Sequence, residues 1–246
     1  MPRFLCFFVA VLLLSAPAAA QSTYLGLSVE GGVPFDDFEE QLDDVGIGVS
    51  GQVLFHAGVV PVAVGLDGGV LTYGQQAQPL PAQIDGQSAF LGEVETTNRI
   101  SHLYGVLRLV PNGGAVRPYI DALGGFNYFR TRVRSEQEVF LVDGGDLLDL
   151  GSDAVVGRNV TSSTVLDDFA LSYGAGAGLL IRLADGDDNG TPFEAFLEVG
   201  ARYLFGEQAR YVLDGVPTED GRVGVIRESE TNLLRPQLGL VIQFGK

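Results

Sequence analysis

The chain has 246 residues, a formal net charge of −16 and 34 glycines, and its one cysteine is Cys6. Strong acidity argues against nucleic acid or anionic lipid surfaces as partners, because binding to phosphates requires clustered Lys and Arg. A single cysteine leaves no disulfide within the chain and no zinc site built from several thiolates.

The N-terminal 20 residues have the features of a cleaved signal peptide. Arg3 gives a positive start, an apolar run covers residues 4–14, and alanines at 18–20 offer a small-residue cleavage site. The apolar run is too short for a membrane-spanning helix, which needs about 20 residues. We therefore expect residues 1–20 to be removed and residues 21–246 to form one domain.

Eight segments of strand length follow. Connections of alternating length, long and then short, separate them. The predicted strands are 23–35, 45–56, 61–73, 98–110, 115–134, 167–183, 192–205 and 232–244. The short connections are 57–60, 111–114 and 184–191, and the long ones are 36–44, 74–97, 135–166 and 206–231.

Each strand has one apolar face and one face of glycine and charge. In 232–244, Leu238, Leu240 and Ile242 alternate with Gln237, Gly239 and Gln243. An apolar face without any charge suits contact with lipid, whereas a soluble barrel carries its charges outside. The pattern predicts a closed eight-stranded antiparallel up-and-down transmembrane β-barrel in a bacterial outer membrane. The long loops would be extracellular and both termini periplasmic.

Aromatic residues recur near the strand ends, as in the interfacial girdles of membrane barrels. The predicted girdle residues are Tyr24, Phe35, Phe55, Tyr73, Tyr128, Phe169, Phe193, Tyr203, Phe205 and Phe244.

The leader, the eight strands, the glycine-rich inward faces and the terminal QLGLVIQFGK together resemble the OmpA-like outer-membrane β-barrel domain family. The resemblance covers residues 22–246 and implies a small monomeric member without a peptidoglycan-binding domain. It implies outer-membrane lipid, lipopolysaccharide and the barrel assembly machinery as partners. One departure is that Gly245 and Lys246 follow Phe244, where the family's assembly signal usually ends on the aromatic residue.

Strand parity places ten charged residues inside the barrel. An eight-stranded interior is just wide enough for side chains to fill, and charges there must be paired. We therefore predict a filled lumen held by an ion-pair network, with a small porin-like channel as the alternative. The predicted network residues are Glu30, Asp67, Arg108, Arg117, Asp121, Arg182, Glu194, Glu198, Arg202 and Arg235.

Acidic residues crowd two of the predicted outer loops. They favour a solvated surface, and divalent-cation bridging to lipopolysaccharide is the alternative. These residues are Asp36, Asp37, Glu39, Glu40, Asp43 and Asp44 in the first loop, and Glu136, Glu138, Asp143, Asp146, Asp149, Asp153, Asp167 and Asp168 in or beside the third.

Candidate chemistry is sparse. Ser101 and His102 are adjacent, so on a strand they point to opposite faces and cannot form a dyad. The turn Asp185-Gly-Asp187-Asp-Asn189 begins like a calcium loop, but position twelve is Phe196 instead of the required glutamate. We therefore expect no catalytic residue, no cofactor and no metal. A lipid-modifying barrel enzyme and a secreted soluble β-barrel binder remain as alternatives.

Overall fold

A computed structural model describes residues 22–36, 45–56, 58, 60–85, 88–141, 155–188, 191–212 and 226–245. The predicted signal peptide and most of the first acidic loop lie outside the described residues. None of the described residues belongs to a helix long and apolar enough to cross a bilayer. The strands are β1 (Ser22–Pro34), β2 (Gly46–His56), β3 (Val62–Asp85), β4 (Ser88–Leu109), β5 (Val116–Leu141), β6 (Val155–Asp188), β7 (Thr191–Gly206), β8 (Gln208–Val212), β9 (Ile226–Glu230) and β10 (Leu233–Phe244).

Eight of these strands close into one antiparallel barrel in the order β1-β10-β7-β6-β5-β4-β3-β2. Closure occurs at β1, where Leu27 lies opposite Gly51 of β2 on one side and Leu240 of β10 on the other. Each strand otherwise pairs with its neighbour in sequence, apart from the small β8–β9 sheet inserted before β10. The predicted all-β closed eight-stranded up-and-down fold is confirmed.

Burial alternates with a period of two residues along the barrel strands, and the apolar face is the outer one. Leu27 is 75% exposed and Ile47 70%, whereas Glu30 is 2% exposed. In β10 every second residue from Leu233 to Val241 is buried, and Leu238 and Leu240 between them are exposed. Because neighbouring residues of a strand point to opposite sides, the sequence pattern alone sets this arrangement.

The three connections predicted to be short are short, but the connections predicted to be long are not simple loops. β3 and β4 continue as a hairpin from Asp85 to Ser88, and β5 and β6 also extend through most of the predicted loop 135–166. β2 pairs with β3 only as far as Thr72, so these extensions lie beyond the closed barrel. Their sequences did not predict strands, because a sheet outside the barrel needs no uninterrupted apolar face.

The last long connection contains its own two-stranded sheet. β8 pairs with β9 from Gln208 opposite Glu230 to Val212 opposite Ile226. Its base is joined to β6 by a backbone hydrogen bond from Glu207 N to Leu171 O, at 2.8 Å. The predicted loop 206–231 is therefore partly an ordered hairpin against the barrel wall.

The β3 extension beyond the barrel carries Pro79 and Pro81, and Pro81 lies where the pairing with β4 shifts register. Proline has no backbone N–H to offer to another strand, so it protects exposed edges from pairing with other chains. This explains two prolines within an extension whose edge away from β4 lacks a partner among the described residues.

Only some of the aromatic residues of the predicted girdle lie on the outer face of the barrel. Phe169 is 63% exposed, and its ring lies 4.6 Å from that of Tyr128. Tyr24 and Tyr73 were assigned wrongly, because they are 1% and 4% exposed and point into the barrel. Their positions share the parity of inward residues such as Glu30 and Leu71, which outweighs their place near the strand ends.

Two adjacent glycines of β5 face opposite environments. A Cβ atom on the inward Gly125 would clash with Leu103 O and come 2.8 Å from Tyr104 Cα, both backbone atoms of β4. A Cβ atom on the outward Gly124 would have nothing within 4 Å. Close approach of the strands therefore requires glycine at 125 and not at 124.

Gly125→Ala should lower the free energy of unfolding by about 1–3 kcal/mol, because backbone atoms of β4 must move. Gly124→Ala is the matched control and should change it by less than about 0.5 kcal/mol. Urea titration of the folded barrel, followed by tryptic protection, measures both. Equal loss in the two variants would contradict the close-approach explanation.

Candidate functional site in the barrel interior

Nine of the ten charged residues predicted inside the barrel are buried there, each at most 6% exposed. They come from six of the eight barrel strands, so the side chains meet across the lumen and not along one strand. The buried nine are Glu30, Asp67, Arg108, Arg117, Asp121, Glu194, Glu198, Arg202 and Arg235.

Arg108 of β4 organises the middle of the lumen. Its Nε and Nη2 donate to the two carboxylate oxygens of Asp121 at 2.7 and 2.9 Å. Nη2 also lies 2.9 Å from Glu198 Oε1, and Gln52 Nε2 donates to the other oxygen of that carboxylate at 2.5 Å. Two-pronged contact fixes both orientation and distance, as is typical of the stronger Arg–carboxylate pairs.

Arg202 and Arg235 extend this cluster towards the end of the barrel that carries the long hairpins. Arg202 Nη1 lies 2.9 Å from Asp67 Oδ2, and its Nη2 lies 3.6 Å from Asp121 Oδ2. Arg235 Nη2 donates to Glu30 and lies 3.9 Å from Asp67 Oδ1. The ion pairs are thus continuous from Glu30 to Glu198.

His102 belongs to the same cluster, although the sequence did not include it in the network. Its Nε2 lies 3.3 Å from Asp67 Oδ1 and 2.9 Å from Arg235 Nη2, and its Nδ1 lies 3.8 Å from Glu30 Oε1. The sequence contained one signal for this position. His102 and Arg108 are both at even positions of β4, so their side chains point to the same face of the strand. We define the central network as Glu30, Asp67, Asp121, Glu198, Arg108, Arg202, Arg235 and His102.

A second cluster lies at the short-turn end. Arg117 Nη2 donates to Glu194 Oε2 at 2.5 Å, and its Nη1 donates to Gln243 Oε1 at 2.7 Å. Arg182 was predicted to point inward but is exposed, and it reaches Glu194 Oε1 at 3.0 Å from the rim. The pairing of β6 with β7 shifts between Arg182 and Ala184, which ends the strict alternation there.

Aromatic rings complete the packing of the lumen. The Arg108 guanidinium carbon lies 3.8 Å from the centre of the Tyr119 ring, and that of Arg117 lies 4.5 Å from the centre of Phe196. A cation over an aromatic face is stabilised most where water is excluded. Each of the two clusters of arginine and carboxylate therefore also packs against an aromatic ring.

The remaining candidate sites are not brought together. Ser101 and His102 point to opposite sides of β4, and His56 Nδ1 accepts from Gly58 N at 3.0 Å near a turn. Asp185 and Asp187 lie at the end of β6, whereas Asn189 is outside the described residues. In the part of the chain that the structure describes, no three His, Cys, Asp or Glu side chains are arranged to hold a metal ion.

No protein-family model matches the chain, and no curated protein matches it. Among solved structures, it is similar to the attachment invasion locus protein Ail of Yersinia pestis, with 10% identity and a TM-score of 0.32 over 91% of this chain and 99% of that one. Neisserial surface protein A gives 8% identity and a TM-score of 0.34 over 92% of this chain and 98% of that one. The N-terminal β-barrel domain of Pseudomonas aeruginosa OprF gives 12% identity and a TM-score of 0.32 over 91% of this chain and 98% of that one. The barrel itself is established by this chain's own strand pairing.

Replacing Arg108 by methionine should destabilise the barrel by about 3–5 kcal/mol, because buried Glu198 loses its cation and Asp121 keeps only the longer contact with Arg202. Adding Glu198→Gln should recover part of that loss, since one uncompensated charge is then removed. Chemical unfolding in detergent measures the single and double variants.

Arg182→Gln is the control for this experiment. Its side chain is 33% exposed, so the loss should stay within about 1 kcal/mol. If Arg108→Met cost no more than this control, the central network would not stabilise the barrel.

Proposed function

We propose that this protein is a non-enzymatic β-barrel of the bacterial outer membrane whose lumen is closed by side chains and whose long hairpins form its extracellular surface. The observation that carries the proposal is the inverted distribution of polarity. Large apolar side chains cover the outside, and nine charged residues are enclosed.

The outer face matches the solvent properties of a bilayer. From Leu234 to Phe244 no outward residue of β10 is charged, and the outward Leu27 and Leu171 are more than 60% exposed. At about 3.3 Å per residue and a tilt of about 40°, this stretch is about 25 Å tall, which equals the apolar band of such barrels. A soluble binder would expose this surface to water at high cost, so the alternative of a secreted soluble barrel is disfavoured.

The packed lumen supports a closed barrel over a small porin-like channel. Arg108, Asp121 and Glu198 meet from three different strands at one height, with all three side chains at most 1% exposed. An ion crossing this layer would have to displace hydrogen-bonded groups that compensate one another. A structural or surface-interaction role is therefore favoured over conduction.

A lipid-modifying enzyme would require a reactive group that reaches lipid. His102 points into the lumen and is 6% exposed, and His56 is 3% exposed. Ser22 is the register partner of His56, but among the described residues His56 Nδ1 accepts from Gly58 N and its Nε2 has no hydrogen-bond partner, so no hydrogen-bonded Ser–His pair is formed there. These contacts favour a non-enzymatic role.

The two ends of the barrel differ, and the difference suggests how the barrel is oriented in the outer membrane. Ser22 pairs with His56 beside the first short turn, and Gly245 N donates to Pro192 O beside the third, so the first and last described residues of the barrel lie on the short-turn side. Bacterial barrels place their short turns in the periplasm. We infer periplasmic termini, with export directed by the leader at 1–20, and extracellular hairpins.

Conductance tests the closed lumen. Purified barrel should show a boiled-versus-unboiled shift on denaturing gels and no steady conductance in planar bilayers. The double variant Arg108→Ala with Glu198→Ala removes a matched pair of opposite charges from the middle layer and should conduct. Steady channels from the unmodified protein would contradict the proposal, whereas a silent double variant that inserts normally would show that other layers also close the lumen.

Cysteine labelling tests the orientation, with Cys6 predicted to leave with the signal peptide. Ser88→Cys lies at the tip side of the β3–β4 hairpin, and Asn112→Cys lies in the short β4–β5 turn. A membrane-impermeant maleimide should label Ser88→Cys on intact cells and Asn112→Cys only after the outer membrane is permeabilised. The reverse pattern would invert the orientation.

A further inference from the structure

Three arginines form a cluster on the outer face of the barrel wall, outside the lumen. Arg99 of β4 and Arg130 of β5 are register partners, and Arg132 is the next outward residue along β5. Arg99 and Arg132 are exposed, and Arg130 is half-buried. We call Arg99, Arg130 and Arg132 the arginine patch. It stands out in a chain with 15 basic and 31 acidic residues.

The patch begins where the apolar belt ends. Outward residues of β5 change from Gly124 to Phe126 and Tyr128, and then to Arg130 and Arg132. The neighbouring Phe169 ring lies 6.0 Å from Phe126 and 4.6 Å from Tyr128, which makes this level an aromatic layer. In a bilayer, aromatic rings of this kind mark the headgroup boundary. The arginine patch is therefore at headgroup height, on the side of the long hairpins.

Asp167 of β6 is the register partner of Arg130 and is exposed, so one carboxylate faces the three arginines and the patch keeps an excess of positive charge. Like charges directly opposite on adjacent strands are destabilising, as at Arg99 and Arg130. Arg130 Nη2 donates to Tyr128 Oη at 3.0 Å, and that hydroxyl donates to Asp167 at 3.1 Å. Among the described side chains, Arg99 and Arg132 have no ion-pair partner.

The next arginine shows the contrast. Arg134 Nη2 lies 2.5 Å from Glu136 Oε1, so it is already paired within β5. The arginines without an ion-pair partner, Arg99 and Arg132, thus lie on the barrel wall just beyond the aromatic layer. A bound anion there would offset the repulsion between Arg99 and Arg130.

We propose that the arginine patch binds the phosphate groups of an outer-leaflet glycolipid headgroup, whose acyl chains lie on the adjoining apolar wall. Guanidinium groups match phosphate oxygens in a two-pronged geometry and are weakly hydrated, which suits an interface. Continuity with Tyr128, Phe126 and the belt below favours a lipid over a free phosphate ion. This inference rests on the proposed outer-membrane location.

The test measures retention of diphosphoryl lipid A by the purified full-length barrel in detergent, using native mass spectrometry. Arg99→Gln with Arg132→Gln should retain it about 30-fold more weakly, because each arginine near an anionic lipid contributes roughly a factor of five. The control is Arg182→Gln at the short-turn end, which should bind like the unmodified protein, whereas the charge-matched single variant Arg132→Gln should bind about fivefold more weakly. Lipid A with its phosphates removed should bind the unmodified protein as weakly as diphosphoryl lipid A binds the patch variant.

Three results would overturn the inference. These are equal retention by the patch variant and the control, equal retention of the phosphate-free lipid, and displacement of lipid A by millimolar inorganic phosphate alone. Insertion into phosphatidylcholine vesicles and the gel shift are measured first on every variant. Failure of the unmodified protein to insert would refute the outer-membrane proposal, whereas insertion without lipid A binding would refute only the lipid site.

Discussion

The structure depends on the pairing of charges inside a closed barrel whose outside is apolar. Eight strands enclose a space that side chains can fill completely, so each inward charge loses its water and must be compensated by another side chain. Arg108 meets Asp121 and Glu198, and Arg235 meets Glu30. Removing one member would leave a buried charge without a partner, which makes the clusters depend on all of their members.

The same pairs join opposite walls of the barrel. Glu198 of β7 contacts Arg108 of β4 and Gln52 of β2, and these strands are not neighbours in the sheet. Backbone ladders join only adjacent strands, so cross-lumen contacts add resistance to deformation that the ladders alone do not give. Space for them comes from inward glycines. Tyr119, for example, occupies the volume where side chains at Gly178 and Gly200 would project.

The two ends of the barrel are built for different surroundings. The short-turn end holds Ser22, Gly245 and the Arg117–Glu194 cluster. The other end carries long hairpins, an aromatic layer and the arginine patch. Under the proposed orientation, the outer leaflet meets aromatic rings and arginine, and the hairpins beyond present an acidic sequence to the medium. Charged residues therefore differ with height along the barrel. Those enclosed by protein are paired with one another, those at the proposed headgroup level are offered to lipid, and those of the hairpins face the medium.

The sequence by itself determined the barrel, its strand count and the inward position of most charged residues, because a period of two leaves each strand only two possible faces. Residues in strands with clear alternation, such as Glu30 and Arg235, were placed correctly for that reason. Alternation fails where a strand leaves the barrel or shifts register, so the hairpin extensions and the exposure of Arg182 were not predictable. Only the tertiary structure decided which charges meet. Asp121 and Arg202 are on strands that are not adjacent and 81 residues apart, and their contact depends on barrel closure and stagger, which no single strand's pattern contains.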